Sequence, residues 1–321
     1  MPLKNTPLNL KGVLLDADSL GDNLDFSCLE AALGSFVSYA ETAPDQVQER
    51  IQDADIVLSN KVVIDAHEIK NAQQLKLICV LATGTNNIDH DAAQQAGIPV
   101  CNAIAYGTNS VAQHTLMLML MLSTRQPLYQ KSVAEGAWNS SPLFCLMQHP
   151  VSELAGKHLV IVGAGVLGAK VAQLAEAFDM KVSFSARPGN EKNDQRPSLD
   201  RLLPTADILS LHCPLTENTE NLINAARLAQ VKPELLVVNC ARGGIVNETD
   251  ILAALKSKRI SGYATDVLTQ EPPVNGNGLL DALNETLNLI VTPHNAWISQ
   301  NARQNIVDQT AASIQSFTAT I

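Results

Sequence analysis

The sequence predicts an α/β protein built from two doubly wound, parallel-sheet domains. Short β-branched runs alternate with helical stretches along the whole chain, which is the rhythm of parallel strands joined by crossover helices. A glycine-rich turn at G-x-G-x-x-G spacing stands in mid-chain, so a separate domain must precede it. The chain has 321 residues, and that length alone suggests about two domains. With 46% hydrophobic and 17% charged residues, it can fill two cores and is too apolar for disorder.

In chain order, Gly12 to Asp16 opens as a strand and Asp25 to Leu33 follows as a helix. Ile56 to Ser59 and Leu77 to Leu81 are short apolar strands. T-G-T-N-N-I-D (Thr83 to Asp89) comes directly after the second of them, at a strand carboxyl end, where open sheets bind ligands; the plain alternative is a structural turn. A helix from His90 to Ala96 stops at Gly97, and Ile98 to Asn102 returns as a strand. Thr108 or Ser110 can cap a helix starting near Val111. Its run from Leu116 to Leu122 is apolar on nearly every side. That run is too short to span a bilayer, so it belongs between layers or in a subunit contact. Arg125 to Pro150 reads as a helix and then a crossing loop, a place for one passage between domains.

The mid-chain unit begins with a buried strand, Leu159 to Val162. Gly163, Gly165 and Gly168 follow, and then a helical pattern through Phe178 and a strand from Lys181 to Phe184. In this setting the first glycine allows a tight turn. The second lets backbone approach a pyrophosphate, and the third lets helix pack on strand. The amides of Val166, Leu167 and Gly168 open the helix and offer donors and a positive dipole end to phosphates. Further strands are expected at Ala206 to His212, Leu235 to Asn239, Ile260 to Asp266 and Leu289 to Thr292. Asn218 to Ile223 leads into a short helix, Asp250 to Lys256 is an amphipathic helix, and Ser299 to Phe317 is a final helix. Six strands from Leu159 onward complete a dinucleotide-binding sheet. The first domain is then left to the N-terminal part, with the last helix folding back onto it.

Net charge is −10, a poor match for nucleic acid or an anionic membrane surface. The six cysteines (Cys28, Cys79, Cys101, Cys145, Cys213, Cys240) show no C-x-x-C spacing. They read as reduced thiols of a cytoplasmic protein, neither a disulfide framework nor a metal site. The first ten residues lack the apolar core of a signal peptide.

Three ionisable residues fall after strands or in loops of the second sheet: Arg242, Glu271 and His294. Together they suit hydride transfer to a 2-keto acid. Arginine holds a carboxylate through two parallel hydrogen bonds. Histidine gives a proton to the carbonyl oxygen as hydride reaches carbon, and a neighbouring carboxylate favours the imidazolium. Each has a plain alternative. Arg242 can satisfy loop carbonyls, Glu271 can be a solvated turn residue, and His294 can be a buried, satisfied histidine. Spacing alone does not bring the three together.

The motifs V-N-C-A-R-G-G-I-V-N, D-V-L-T-Q-E-P-P and T-P-H-N-A-W resemble the D-isomer-specific 2-hydroxyacid dehydrogenase family. The similarity extends through T-G-T-N-N-I-D, V-A-Q-H-T, G-A-G-V-L-G and L-H-C-P-L-T, nearly the whole chain. It is closest to the glycerate dehydrogenase, or hydroxypyruvate reductase, branch. The resemblance implies a flavodoxin-like substrate domain (1–105 plus 294–321) and an inserted Rossmann domain (106–293), with the active site in the cleft between them. It gives Arg242 the substrate carboxylate and carbonyl, Glu271 the tuning of the histidine, and His294 the acid/base role. Backbone of Thr83 and Gly84 holds the substrate carboxylate. Thr108, Cys213, Pro214, Thr219, Cys240, Ala241, Arg242, Asp266 and His294 join the glycine loop in lining the cofactor. A homodimer through the helix matching Val111 to Leu122 is also implied. The expected reaction is reduction of hydroxypyruvate to D-glycerate and of glyoxylate to glycolate. The alternatives are a bulkier 2-keto acid, or a dinucleotide-sensing protein like the related corepressors.

One position departs from an NAD pattern. The acid expected about twenty residues beyond the first glycine, for the ribose 2′-hydroxyl, is missing. Ser185 and Ala186 stand there and Arg187 is next. Serine and arginine suit a 2′-phosphate, so NADP(H) is favoured and NAD(H), with Glu191 close by, is the alternative.

Overall fold

The computed structural model describes residues 10–320. Its Cα packing divides the chain into two compact units, one running to Gly107 and resuming at Ile298, the other spanning Thr108–Trp297. Both contain an all-parallel sheet with helices on its faces.

The first sheet has five strands: β1 (Lys11–Leu14), β2 (Ser35–Ser38), β3 (Ile56–Ser59), β4 (Leu77–Val80) and β5 (Val100–Asn102). Their order is β2-β1-β3-β4-β5, the flavodoxin-like order. β3 and β4 are buried at every position, as central strands covered on both faces must be. β2 was not expected from the sequence. S-F-V-S is half exposed and at the sheet edge, so it has no continuous apolar run to announce it. The final helix, Gln300–Thr318, buries Ala302, Ile306, Thr310 and Ile314, one stripe at four-residue spacing. It packs on the Ser27–Ala32 helix and β4, and Arg303 clamps the carbonyls of Leu20 and Asp22.

The second sheet has six strands: β6 (His158–Val162), β7 (Lys181–Phe184), β8 (Ile208–Leu211), β9 (Leu236–Asn239), β10 (Gly262–Thr265) and β11 (Leu289–Val291). The order is β11-β10-β9-β8-β6-β7, and every pairing is parallel. One face packs into a core around Val160, Leu209 and Val237. The other, around Leu159, Ile161 and Val238, packs on the Thr108–Ser123 and Val166–Glu176 helices. The Thr108–Ser123 helix therefore has a buried stripe (Ala112, Thr115, Leu118, Met119, Leu122) and a partly open opposite side.

The division into units differs from the sequence reading in three places. Residues 106 and 107 fall in the first unit. Residues 294–297 belong to the second unit, because the carboxylate of Asp266 binds the amides of Asn295 and Ala296, and Ser110 donates to the Ala296 carbonyl. Residues 125–150 lie wholly inside the second unit, so no passage between units occurs there. Arg125 anchors that stretch by reaching the carbonyl of Pro150 and Ser261.

Candidate active site

All six strands of the second sheet point the same way, so their carboxyl ends share one edge. The order reverses between β6 and β8, and ligands of open α/β sheets sit at such a switch point. The glycine loop follows β6 there. Gly163 has φ +109°, and a Cβ on it would lie 2.4 Å from the His212 carbonyl oxygen beyond β8. A Cβ on Gly168 would lie 2.0 Å from the Gly163 carbonyl oxygen, so the third glycine lets the helix close on the loop. At Gly165 a Cβ would meet nothing within 4 Å. The turn is thus open at the glycine where backbone must approach a pyrophosphate. Gly165 also caps the Val166–Glu176 helix without a side-chain bond. The first-turn amides of Val166, Leu167 and Gly168 have no partner within the helix, and Val166 is 66% exposed. This cradle fits a dinucleotide phosphate.

The remaining cofactor candidates fall around the same edge. Cys213 and Pro214 follow β8. Thr219 is buried and donates to the Pro214 carbonyl while accepting the Thr216 amide. Cys213 and Cys240 are buried, and burial pushes their thiols up to about 11 and about 12. Both thiols are therefore neutral. Thr108 starts the helix beside β9 and β10. Ser185 is only 1% exposed and donates to the Ala186 carbonyl, whereas Arg187 is exposed. Of the two residues expected to meet a 2′-phosphate, the structure exposes the arginine and buries the serine.

Arg242, Glu271 and His294 follow β9, β10 and β11, three adjacent strands, and the structure brings them together. His294 Nδ1 lies 2.6 Å from Glu271 Oε2. An ionised carboxylate can only accept, so Nδ1–H donates and Nε2 is left to exchange a proton. Burial would raise the Glu271 pKa, but the His294 hydrogen bond, the Leu268 amide and the charges of His294 and Arg242 outweigh it. The carboxyl is held below its ordinary range and stays ionised. His294 and Glu271 are 39% and 33% exposed, open enough to meet a substrate.

Backbone architecture produces this convergence. A Cβ on Gly243 would lie 2.0 Å from the Leu268 carbonyl carbon, so the A-R-G-G loop packs on the backbone that leads to Glu271. Asn239 ends β9, accepts the Ala241 amide at 3.0 Å and donates to the Arg242 carbonyl at 2.8 Å. His294 has φ +51°, a left-handed conformation uncommon outside glycine. Its amide reaches the carbonyls of Asp266 and Thr292. Thr292 Oγ1 donates to Asp266 Oδ1 at 2.5 Å and accepts from His114 Nε2 at 3.0 Å. Burial lowers the His114 pKa, and the Asp266 charge only partly opposes it. Asp266 is therefore an anchor of the His294 loop.

Sequence reasoning did not single out Asn239, His114, Thr292 or Glu248. Glu248 Oε1 accepts the Thr269 amide, and its Oε2 binds Asn277. A polar residue closing an apolar strand, as in L-V-V-N, was the one available signal. Thr83 and Gly84 lie in the first unit, after β4, where Asn102 Nδ2 donates to the Thr83 carbonyl at 2.7 Å.

The family model for the NAD binding domain of D-isomer specific 2-hydroxyacid dehydrogenases matches residues 116–296. This chain belongs to that family. Glycerate dehydrogenase of Methylorubrum extorquens is 40% identical over 304 residues, 92% of this chain and 95% of that protein. Hydroxypyruvate reductase of Blautia hydrogenotrophica is 35% identical over 316 residues, 96% and 97% of the two chains. Among solved structures, the TT0316 protein from Thermus thermophilus superposes with TM-score 0.81 at 27% identity, over 97% of both chains. The dehydrogenase thus binds a nicotinamide dinucleotide, and its substrate is a small hydroxy or keto acid.

Removing the Glu271 charge has a stability consequence with a defined sign. A carboxyl held below its unfolded pKa of about 4.3 stabilises the fold above that pH, and the contribution fades as pH falls through the lower folded value. Glu271→Gln is expected to lower the thermal midpoint slightly at pH 7. The gap to wild type should close below about pH 4. Parallel melting curves across pH check it; a gap that widens in acid contradicts the assignment.

Proposed function

We propose that the enzyme reduces hydroxypyruvate to D-glycerate, and glyoxylate to glycolate, with NADPH as the preferred hydride donor. The observation that carries this reading is the meeting of His294, Glu271 and Arg242 at one sheet edge, with the 2.6 Å His294–Glu271 contact fixing the ring. The bound nicotinamide supplies hydride. Arg242 grips the substrate carboxylate and carbonyl through its fork of N–H donors. His294 Nε2 gives a proton to the carbonyl oxygen as negative charge develops there. Glu271 holds the ring by Nδ1–H and balances its charge. Backbone of Thr83 and Gly84 holds the carboxylate of the keto acid. The identities to a glycerate dehydrogenase and a hydroxypyruvate reductase support the substrate class.

NADPH preference rests on residues after β7. No acid stands at the ribose position, and exposed Arg187 offers a guanidinium to a 2′-phosphate. Glu191 Oε1 is engaged by the Gly189 amide, and Asp194 is engaged by Arg196 and the Arg187 amide. Both nearby acids are thereby turned toward protein donors. Purified protein with hydroxypyruvate, glyoxylate and bulkier 2-keto acids, each with NADPH and NADH, tests substrate and cofactor together. The highest kcat/KM is expected for hydroxypyruvate with NADPH, and Arg187→Asp should reverse the cofactor ratio. A clear NADH preference would overturn the cofactor reading. Tight dinucleotide binding with no turnover of any keto acid would overturn the enzymatic one.

The working form is a homodimer of the cytoplasm in this reading. The open side of the Thr108–Ser123 helix supports it, as do the exposed apolar residues Trp138, Leu143, Phe144 and Met147 later in the same unit; Phe144 is 90% exposed. That much exposed apolar surface is costly to leave in water. Light scattering should give twice the mass of one chain, and Phe144→Glu with Met147→Glu should shift it toward the monomer.

A further inference from the structure

β4 and β5 place Cys79 and Cys101 directly opposite each other. Residues opposite in register point to the same face. The C-terminal helix packs on β4, and its Ser313 hydroxyl is close enough to Cys101 to influence the thiol. The two sulfurs are 3.3 Å apart. Adjacent strands lie roughly 4.8 Å apart, a Cα spacing that a disulfide accepts. Closing to a bond needs the sulfurs to approach by about 1.2 Å. β5 is the edge strand of its sheet, so it has a neighbour on only one side to resist that shift. Cys101 is half-buried and reachable, while Cys79 is buried behind it.

We propose that Cys79 and Cys101 form a peroxide-sensitive pair that closes reversibly to an intrachain disulfide. The Cys101 thiolate attacks a peroxide oxygen, the O–O bond breaks, one water leaves after protonation, and a sulfenic acid forms. The Cys79 sulfur, losing its proton, attacks that sulfur; the S–S bond forms and the oxygen departs as a second water. Two thiols lose two electrons and one peroxide gains them. Thiol environments agree with this division of labour. The hydrogen bond shared with Cys79 lowers the Cys101 thiol against the opposing effect of burial, and the Ser313 hydroxyl adds to it. That shared bond and burial push Cys79 up. Burial also pushes up Cys28, Cys213 and Cys240, which leaves them poor nucleophiles.

The pair adjoins a functional element. Asn102, next to Cys101, holds the Thr83 carbonyl at 2.7 Å. Oxidised protein should therefore show a several-fold higher KM for the keto acid with unchanged dinucleotide affinity. This coupling rests on the reading of Thr83–Gly84 as a carboxylate cradle; the disulfide itself does not. The experiment treats the full-length protein with hydrogen peroxide and reads peptide masses without reductant. A Cys79–Cys101 crosslink lighter by two hydrogens, reversed by dithiothreitol and lost in both Cys101→Ser and Cys79→Ala, is expected. Over-oxidation of Cys101 alone, or no crosslink in wild type, overturns the pair. A crosslinked protein with unaltered KM overturns the coupling.

Discussion

His294→Ala is expected to lower kcat by roughly 10²–10⁴-fold, the range for a positioned general acid, while dinucleotide affinity stays nearly intact. In the proposed mechanism the imidazole alone carries a proton to the substrate oxygen. The loop itself is held by other groups: the His294 amide binds the Asp266 and Thr292 carbonyls, and Asp266 gathers the amides of Asn295 and Ala296. Alanine keeps all of these backbone bonds. The ion pair with Glu271 is about one-third exposed on both sides, so its loss costs little stability. The variant should melt close to wild type, titrate dinucleotide normally and fail in the chemical step. Stopped-flow turnover with fluorescence titration separates these effects. Wild-type turnover in the variant would remove the ring from the mechanism.

The parts of this protein legible in the sequence are those that repeat a physical necessity. Buried parallel strands must be apolar on both faces, so L-I-C-V, L-V-I-V and L-V-V-N announce themselves. The glycines at 163 and 168 are forced by contacts of 2.4 and 2.0 Å, and no other residue tolerates such approaches. β2 was silent because a half-exposed edge strand needs no apolar run. Arg242, Glu271 and His294 were each visible as polar residues after strands. Their convergence was not, because 52 residues separate the first from the last and only the strand order makes β9, β10 and β11 neighbours. The anchors were harder still. Asp266 was visible from the resemblance as cofactor lining, but its bonds to Thr292, Asn295 and Ala296 depend on the backbone path after β11. His114 sits on a helix of the same unit that local sequence reads only as apolar packing.

Arg242→Lys should reduce kcat/KM for the keto acid by about 10- to 100-fold, the equivalent of one lost charged hydrogen bond of about 1.5–3 kcal/mol. Both residues carry one positive charge, so a loss of this size measures geometry. A guanidinium presents parallel donors that match the two oxygens of a carboxylate or a carboxylate with its adjacent carbonyl; an ammonium is a single point of charge on a flexible stem. Arg242 Nη1 already donates to the Ala241 carbonyl at 2.7 Å, which braces the side chain, and Asn239 holds the Arg242 carbonyl. Lysine would keep the backbone position and lose the brace together with the fork. The charge beside Glu271 survives in the variant, so the carboxyl should remain ionised and His294 correctly oriented. The deficit should therefore fall mainly on KM for the keto acid and leave the dinucleotide KM unchanged. Steady-state kinetics with each substrate varied in turn decides it. A loss confined to the dinucleotide would reassign Arg242 to the cofactor, and an unimpaired lysine variant would show that charge alone is what this position supplies.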